Sequence, residues 1–472
     1  MINKLINKTV AVLGLGKSGM AVVRELKKRC VHVIAWDNKE ELRKEASNFG
    51  AKIQDLMSVD FSSVELLVIS PGIPHTYPVP HPVALKAKEA GVKIIDDVEL
   101  FVSTYKKANY IGVTGTNGKS TTTALIYHIL KENGVPTAIG GNFGIPVFDL
   151  PELDENGWYV FEMSSYQIEL SPSIDFDISA LLNITPDHLS RHNGMEGYVN
   201  VKKQIFHRVS KKNVSNVIAI DDEYTKKIFN ELLKESASSV HNIPVSFEKK
   251  TDGYFVNAKG ILFDNTKGDK KEILDLSTLE NLKGKHNWQN IVVSFAVCKR
   301  AGLSTSKIVN AIKTFKALEH RVEKVSNFAG IEFINDSKAT NAEATQYAIQ
   351  SLNDVYWIIG GRKKEGGIDI LMPQLEKGNI KRIFTIGECE KEFYNQTKKI
   401  IPSYKCHKLE KAVIKAFKLA LKDLKKGKVK NPVVILSPAC ASFDQYKSFE
   451  ARGDHFKKIV GDIILKYKNK LG

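Results

Sequence analysis

Short β-branched and apolar runs, each closed by a glycine-rich or polar turn and followed by a helical stretch, recur along almost the whole chain. Thr9–Leu13 runs into Gly14-Leu15-Gly16-Lys17-Ser18-Gly19 and then a helical stretch to Arg29; Val31–Trp36 and Leu66–Ile69 repeat the pattern. Alternation of this kind specifies α/β domains whose parallel sheets are buried between helices. It excludes an all-β sandwich or a helical bundle. No apolar run approaches the roughly 18–20 residues needed to cross a bilayer. With 43% hydrophobic, 9% aromatic and 26% charged residues, the chain is globular rather than disordered or collagen-like.

At roughly 100–200 residues per domain, 472 residues suggest about three domains. The first, expected over 1–97, holds the three runs above. A second, over 98–317, opens with Tyr110–Val113, continues through Tyr159–Met163 and Ile178–Ile184, and ends in a helix over Asn287–Ala301. Residues 212–285 are turn-rich and carry no chemical motif, as an elaboration of the central sheet would. The third, over 318–472, has strands at Ile331–Asn335, Val355–Gly360, Arg382–Ile386 and Val433–Ser437. The N-terminus lacks the apolar core of a signal peptide, so export is not expected. Cys30, Cys298, Cys389, Cys406 and Cys440 have neither metal-ligand nor redox spacing, and read as thiols of a reducing cytosol.

The most specific chemistry lies in Gly112-Val-Thr-Gly115-Thr116-Asn117-Gly118-Lys119-Ser120-Thr121, between a strand and a helix. There, backbone N–H groups and the helix N-terminus can wrap a triphosphate, and glycines keep side chains from clashing with it. Lys119 would neutralise the β/γ oxygens, and Ser120 would coordinate Mg²⁺. The bland alternative is a glycine turn that happens to precede a lysine. Glu162, ending a strand, can meet that Mg²⁺. Asp187-His188 follows the next strand, and Tyr198 and Lys202 stand four apart in a helical stretch. An ammonium has no lone pair, so spacing alone does not make Lys202 a metal ligand.

Gly14–Gly19 with Asp37 matches a dinucleotide-binding turn. An NAD-dependent oxidoreductase would leave the loop at Gly115 unexplained, whereas a uridine nucleotide could occupy the same crevice, with Asp37 near the uracil or ribose. Two polar clusters, Asn335-Asp-Ser-Lys-Ala-Thr-Asn341 and Ser437-Pro-Ala-Cys-Ala-Ser-Phe-Asp-Gln-Tyr-Lys447, follow strands in the third domain. Each is larger than a helix cap requires.

The net charge of +16 invites a nucleic-acid reading, but 19 of the Lys/Arg and only 6 of the Asp/Glu lie in 398–472. The chain has 59 Lys against 10 Arg, and phosphate and guanine readers favour Arg. Lysines over Lys408–Lys430 flank Leu409, Val413, Ile414, Phe417 and Leu421, the pattern of an amphipathic helix with a solvated face. A nucleic-acid-binding ATPase therefore lacks a recognition motif here.

Together, these motifs and their order resemble the Mur ligase family, which couples ATP cleavage to amide-bond formation on peptidoglycan precursors. The resemblance covers essentially the whole chain. It implies a Rossmann-like N-terminal domain, a central P-loop-type ATPase domain and a Rossmann-like C-terminal domain. Within the family, the motifs look most like the ligase that adds D-glutamate to UDP-N-acetylmuramoyl-L-alanine. A folylpolyglutamate-type ligase would place its phosphate loop near the N-terminus.

Carried over by motif, Gly115, Thr116, Asn117, Gly118, Lys119, Ser120, Thr121, Glu162, Asn287, Asn290, Arg321, Asp336 and Lys338 would hold ATP and a first Mg²⁺. His188 and Lys202 would hold a second Mg²⁺, Lys202 as a carbamate. The resemblance gives Lys119, Glu162, His188 and Lys202 the catalytic work. Ser18, Asp37, Asn38, Ser70, Gly72 and Asn142 would face the UDP-sugar. Thr340, Lys364, Ser442, Phe443 and Phe449 would surround the glutamate, although Lys363 is an equal candidate for Lys364. Ser190, where relatives often carry Asp, is a departure of small expected effect. The implied protein is cytoplasmic and monomeric, and binds no nucleic acid.

Overall fold

The computed structural model describes residues 1–206, 214–235, 239–279, 281–282, 284–316, 318–350, 352–363 and 367–468. The chain divides into two compact units, Met1–Phe315 and Lys316–Gly472.

Unit 1 carries two sheets. The first contains β1 (Thr9–Leu13), β2 (His32–Trp36), β3 (Lys52–Ile53), β4 (Leu66–Ile69) and β5 (Lys93–Ile95), in the order β3-β2-β1-β4-β5. All its pairs are parallel. Val10 through Leu13 and Leu66 through Ile69 are buried at every position, as helices on both faces require. The strand order reverses between β1 and β4, which opens a crevice at their carboxyl ends. Gly14, at φ +90°, turns the chain there; a Cβ on it would lie 2.7 Å from the Ser70 Cβ. The helix Lys17–Lys28 then buries Met20, Val22, Val23 and Leu26.

The second sheet contains β6 (Asn109–Thr114), β7 (Thr137–Gly141), β8 (Trp158–Glu162), β9 (Ile178–Leu181), β10 (Ser215–Ala219), β11 (His241–Ser246), β12 (Tyr254–Val256), β13 (Ile261–Asp264) and β14 (Lys271–Asp275). Its order is β14-β13-β12-β11-β10-β9-β6-β8-β7. The turn-rich stretch thus extends the sheet at one end, first in parallel through β10, β11 and β12 and then antiparallel through β13 and β14. β6 lies between β8 and β9, so the loops after these three strands share one edge.

The helix Asp97–Val102 joins the two sheets, and the expected domain break between residues 97 and 98 falls within its first turn. Asp96 caps it, accepting the Glu99 N–H at 2.9 Å. Leu100 enters the core of the first sheet, while Val98 and Phe101 enter that of the second. The Phe101 ring meets Tyr105, Phe148, Tyr159 and Phe161 at centroid distances of 4.7–5.9 Å. No linker composition marks this junction because the chain crosses it inside a buried helix.

Unit 2 carries β15 (Glu323–Phe328), β16 (Ile331–Asn335), β17 (Val355–Gly360), β18 (Ile380–Ile386), β19 (Ser403–His407) and β20 (Val433–Leu436), in the order β15-β16-β20-β17-β18-β19. β15 is antiparallel to β16 and the remaining pairs are parallel. A core lies on each face. The amphipathic helix is Leu409–Lys425; it buries Leu409, Ala412, Val413, Ala416, Phe417 and Ala420 and turns its lysines to solvent.

Because Phe101 is buried among four rings in the helix shared by both cores, Phe101→Ala is expected to destabilise unit 1 by about 3–5 kcal/mol. Urea unfolding followed by the fluorescence of Trp36 and Trp158 in unit 1 measures it; a loss under about 1 kcal/mol would show that the junction does not depend on this ring.

Candidate active site

The nucleotide loop follows β6 and enters the helix Lys119–Glu132. Gly118 caps that helix at φ +87°, and a Cβ there would sit 2.3 Å from the Asn290 Oδ1. The turn is held from outside. Asn183, just beyond β9, accepts the Asn117 N–H on Oδ1 at 2.8 Å, and its amide donates back to the Asn117 carbonyl at 3.1 Å. Its backbone carbonyl accepts the Thr116 N–H at 2.8 Å. The Thr116 hydroxyl donates to the Thr185 carbonyl at 3.0 Å and lies 3.1 Å from the Tyr198 hydroxyl. Asn290 is buried; it accepts from Thr122 at 3.2 Å and donates to Asn287 at 3.1 Å. In this arrangement Asn287 and Asn290 brace the helix behind the loop. Ser120 and Thr121 are buried in the first turn.

Two lysines converge under the loop. Lys119 Nζ donates to the carbonyls of Gly115 at 2.8 Å and Thr116 at 2.7 Å. Lys202 Nζ, from the helix Met195–Lys203, donates to the same Gly115 carbonyl at 2.9 Å and to Thr114 Oγ1 at 3.3 Å. Lys202 is 1% exposed and rests against the Tyr198 ring at 4.8 Å. Burial drives its pKa well below the ordinary lysine value; Lys119 adds to the shift, and Asp187 and Glu162 oppose it. Burial thus weakens the hold of Lys202 on its proton relative to an ordinary surface lysine.

Glu162 ends β8 at 3% exposure, with Oε1 held by the Asn142 amide at 2.7 Å. The Asn142 backbone N–H also donates to the Glu162 carbonyl, at 2.8 Å. Asn142, expected at the UDP-sugar, is thus placed on this carboxylate. His188 adopts φ 55°, with Nε2 3.4 Å from the Asp187 carboxylate and its ring 5.0 Å from Tyr166.

At the first sheet's crevice, Asp37 accepts the N–H groups of Leu15 at 2.8 Å and Lys39 at 2.9 Å, so it ties the turn after β1 to the turn after β2. The carbonyls of Asp37 and Asn38 are held by Arg43 at 2.7 and 3.1 Å. Ser18 hydrogen-bonds to Asp97, whose pKa burial raises to about 6 against that bond. Ser18, Ser70, Gly14 and Asp97 line one small cavity. Gly72 follows Ser70, with open space where a Cβ would stand.

Within unit 2, the loops after β16 and β20 form a second polar site. Asp336 accepts the Val322 N–H at 3.2 Å and the Ser437 hydroxyl at 2.7 Å. Burial pushes its pKa up to about 7, while Arg321 and Arg452 pull it down. The His320 carbonyl accepts the Lys338 N–H at 3.0 Å, and the Lys338 carbonyl accepts the Thr340 N–H at 2.8 Å. Lys338 Nζ lies 5.2 Å from the Phe449 ring centre. Ser442 is buried and Phe443 is 65% exposed. Lys363 is paired with Glu392 at 2.8 Å; Lys364 lies outside the described residues.

Three supporting residues carried no sequence assignment. Asn183 could have been noticed as a polar residue directly after a buried strand. Arg191 holds the carbonyls of Tyr77 at 2.7 Å and Pro71 at 3.3 Å while stacking on Tyr166, so it links the first crevice to the His188 segment. Arg452, fully buried, donates to Ser337 Oγ at 3.0 Å, to the Ser337 carbonyl at 2.9 Å and to the Cys440 carbonyl at 3.0 Å. Nothing local distinguishes either arginine from a surface one.

Residues 113–298 match the family model for the Mur ligase middle domain, and residues 8–96 match that for the MurD-like N-terminal domain of Mur ligases. The chain is 42% identical to the UDP-N-acetylmuramoylalanine–D-glutamate ligase of Rhodospirillum rubrum, over 96% of this chain and 94% of the relative. It is 43% identical to the ligase of the same name from Paramagnetospirillum magneticum, over 96% of each. Among solved structures, it resembles the UDP-N-acetylmuramate–alanine ligase MurC of Thermotoga maritima, with a TM-score of 0.59 at 18% identity over 96% and 99% of the two chains. It also resembles MurF of Acinetobacter baumannii, with a TM-score of 0.59 at 15% identity over 96% and 93%. These two likenesses speak to the fold.

The buried amine has a consequence for stability. Unfolded Lys202 binds a proton up to the ordinary value of 10.5, and folded Lys202 releases it at lower pH, so stability rises with pH between the two. In carbonate-free buffer, Lys202→Met is expected to be more stable than the parent at about pH 7 and to lose that rise toward about pH 10. Urea unfolding across that range checks it; an unchanged slope would mean that Lys202 keeps its charge.

Proposed function

The chain belongs to the Mur ligase family, among its UDP-N-acetylmuramoylalanine–D-glutamate ligases, and on that footing we propose that it joins D-glutamate to UDP-N-acetylmuramoyl-L-alanine at the expense of ATP. The observation that carries the reading is the convergence of Lys119 and the buried Lys202 on the Gly115 carbonyl beneath a glycine-turned helix N-terminus. A carboxylate is a poor electrophile. The γ-phosphoryl group of ATP passes to the L-alanyl carboxylate oxygen, and ADP leaves. The glutamate amine, having lost a proton, attacks the carbonyl carbon of the acyl phosphate through a tetrahedral intermediate. The C–O bond then breaks and inorganic phosphate departs.

The chain's contribution is positioning and charge. Loop N–H groups and Lys119 would cradle the phosphates, with Asn183, Asn287 and Asn290 keeping the loop in shape. Ser18, Ser70, Gly72, Asp37 and Asn38 would hold the UDP-sugar, the last two chiefly by fixing the turns. In unit 2, Arg321, Asp336 and Lys338 would act on the nucleotide, and Thr340, Ser442, Phe443, Phe449 and Lys363 or Lys364 on the glutamate. Water must be excluded, or the acyl phosphate hydrolyses.

The donors near the loop suit Mg²⁺, since the Ser120 hydroxyl and the buried Glu162 carboxylate are hard oxygen ligands. His188 and Lys202 would serve a second ion. As an amine donating to Gly115 and Thr114, Lys202 does not fit that role; its lowered pKa favours addition of CO₂ with loss of a proton, and the resulting carbamate would supply the oxygen donor. When bound, Mg²⁺ would neutralise phosphate charge. Among the described residues no helix is long and apolar enough to cross a membrane. The reading places the enzyme in the cytoplasm as a monomer, with no nucleic acid partner.

Phosphate release from ATP is expected to require UDP-N-acetylmuramoyl-L-alanine and D-glutamate together, with L-glutamate inactive. Lys119→Ala should lower kcat by about 10²-fold or more. Release indifferent to D-glutamate would sink the proposal. Activity should also fall when CO₂ is stripped from the buffer and return with bicarbonate; a rate unmoved by that cycle would remove the carbamate.

A further inference from the structure

The loops after β18 and β20 meet over the end of β17, and each brings a cysteine to the meeting point. Cys389 Sγ lies 3.5 Å from Cys440 Sγ. Because β17 runs between β18 and β20, the roots of the two loops stand about two strand spacings, roughly 10 Å, apart. They close the gap over Gly361, at φ +134°, where a Cβ would come within 2.4 Å of the Ala441 carbonyl and 3.1 Å of the Cys440 Cβ. The Gly361 carbonyl accepts the Cys389 N–H at 3.1 Å. Arg362 and Ala441 exchange backbone hydrogen bonds at 2.9 Å. Arg452 holds the Cys440 carbonyl. The two sulfurs are thus pinned by their backbones, and the proposed reaction uses neither.

The pair is asymmetric. Cys389 is 5% exposed and begins the helix Glu390–Thr397, whereas Cys440 is fully buried. Hydrogen bonding from the Cys440 thiol lowers the Cys389 pKa, and the same contact raises that of Cys440. Of the two, Cys389 is the less buried sulfur, and the contact with Cys440 favours its thiolate.

We propose that Cys389 and Cys440 are a peroxide-responsive dithiol that closes to a disulfide across the Gly361–Lys363 segment that follows β17. The Cys389 thiolate attacks one oxygen of hydrogen peroxide; the O–O bond breaks, hydroxide leaves, and a sulfenic acid forms. The Cys440 sulfur then attacks the Cys389 sulfur, the S–O bond breaks, and water leaves with the Cys440 proton. Two thiols are oxidised and one peroxide is reduced to two waters. The sulfurs must close from 3.5 Å to about 2.05 Å. Cys440 precedes Ser442 and Phe443 by two and three residues, and Gly361 leads into Lys363, so the closure displaces both loops assigned above to the amino acid. That consequence rests on the proposed function; the bond itself does not.

The test uses the full-length protein carrying Cys30→Ser, which removes the exposed thiol. Stoichiometric peroxide should consume two thiols and yield a peptide cross-linking Cys389 to Cys440, and dithiothreitol should reverse both. The KM for D-glutamate should rise several-fold on oxidation and recover on reduction. Cys389→Ser should keep the untreated activity and resist peroxide. Sulfinic acid at Cys389 without the cross-linked peptide overturns the proposal, as does equal inactivation of Cys389→Ser. If that variant fails to fold, the cross-linked peptide from the Cys30→Ser protein decides alone. A cross-link that leaves KM unchanged confirms the dithiol and removes these loops from the amino-acid site.

Discussion

Lys119 and Lys202 both donate to the Gly115 carbonyl of the nucleotide loop, at 2.8 and 2.9 Å. Their nitrogens are therefore no more than about 6 Å apart, and two full charges there would repel by about 3 kcal/mol at an effective dielectric near 20. Lys202 has no access to water, while Lys119 is only partly buried. The cost therefore falls on the buried partner, and burial together with Lys119 lowers the pKa of Lys202 well below the ordinary lysine value. Two side chains of the same type thus meet at one carbonyl in unequal solvent.

That carbonyl is available because of where β6 stands. It lies between β8 and β9, so Glu162 at the end of β8 and Asn183 beyond β9 reach the same loop from its two sides. Asn183 holds the Asn117 peptide at both its N–H and its carbonyl, which fixes the orientation of the loop backbone. The first sheet repeats the device at lower charge. Its order reverses between β1 and β4, Gly14 turns against Ser70, and Asp37 ties the β1 and β2 turns together. In both places a polar side chain from a neighbouring strand end fixes the backbone, so a phosphate would meet amides already aimed.

The parts of this arrangement that are local in sequence were legible in it. β1, β4, β16 and β17 occupy the spans that their apolar runs suggest, and the glycine loop and its lysine lie where strand–loop–helix order puts them. Roles that depend on burial were not. Lys202 looks like any helical lysine until its surroundings are known. Asn142 donates to Glu162, and Asp37 accepts backbone amides on both oxygens, contacts that their motifs do not announce. Asn290 braces Thr122 and the Gly118 turn. A motif records that a residue type is needed, without recording whether its polar atoms face the ligand or the loop that faces the ligand.

The net charge of +16 follows the same division between number and placement. The helix Leu409–Lys425 and the turn after it expose Lys411, Lys415, Lys418, Lys422, Lys425, Lys426, Lys428 and Lys430, while its other face fills a core. By contrast, Arg452 is fully buried at the β16 and β20 loops, with hydrogen bonds to Ser337 and Cys440. At physiological salt, a field from exposed lysines decays over about 8 Å. A desolvated guanidinium acts on Asp336 with little screening. The lysine coat accounts for the charge, and a few cations at strand ends account for the electrostatics of the site.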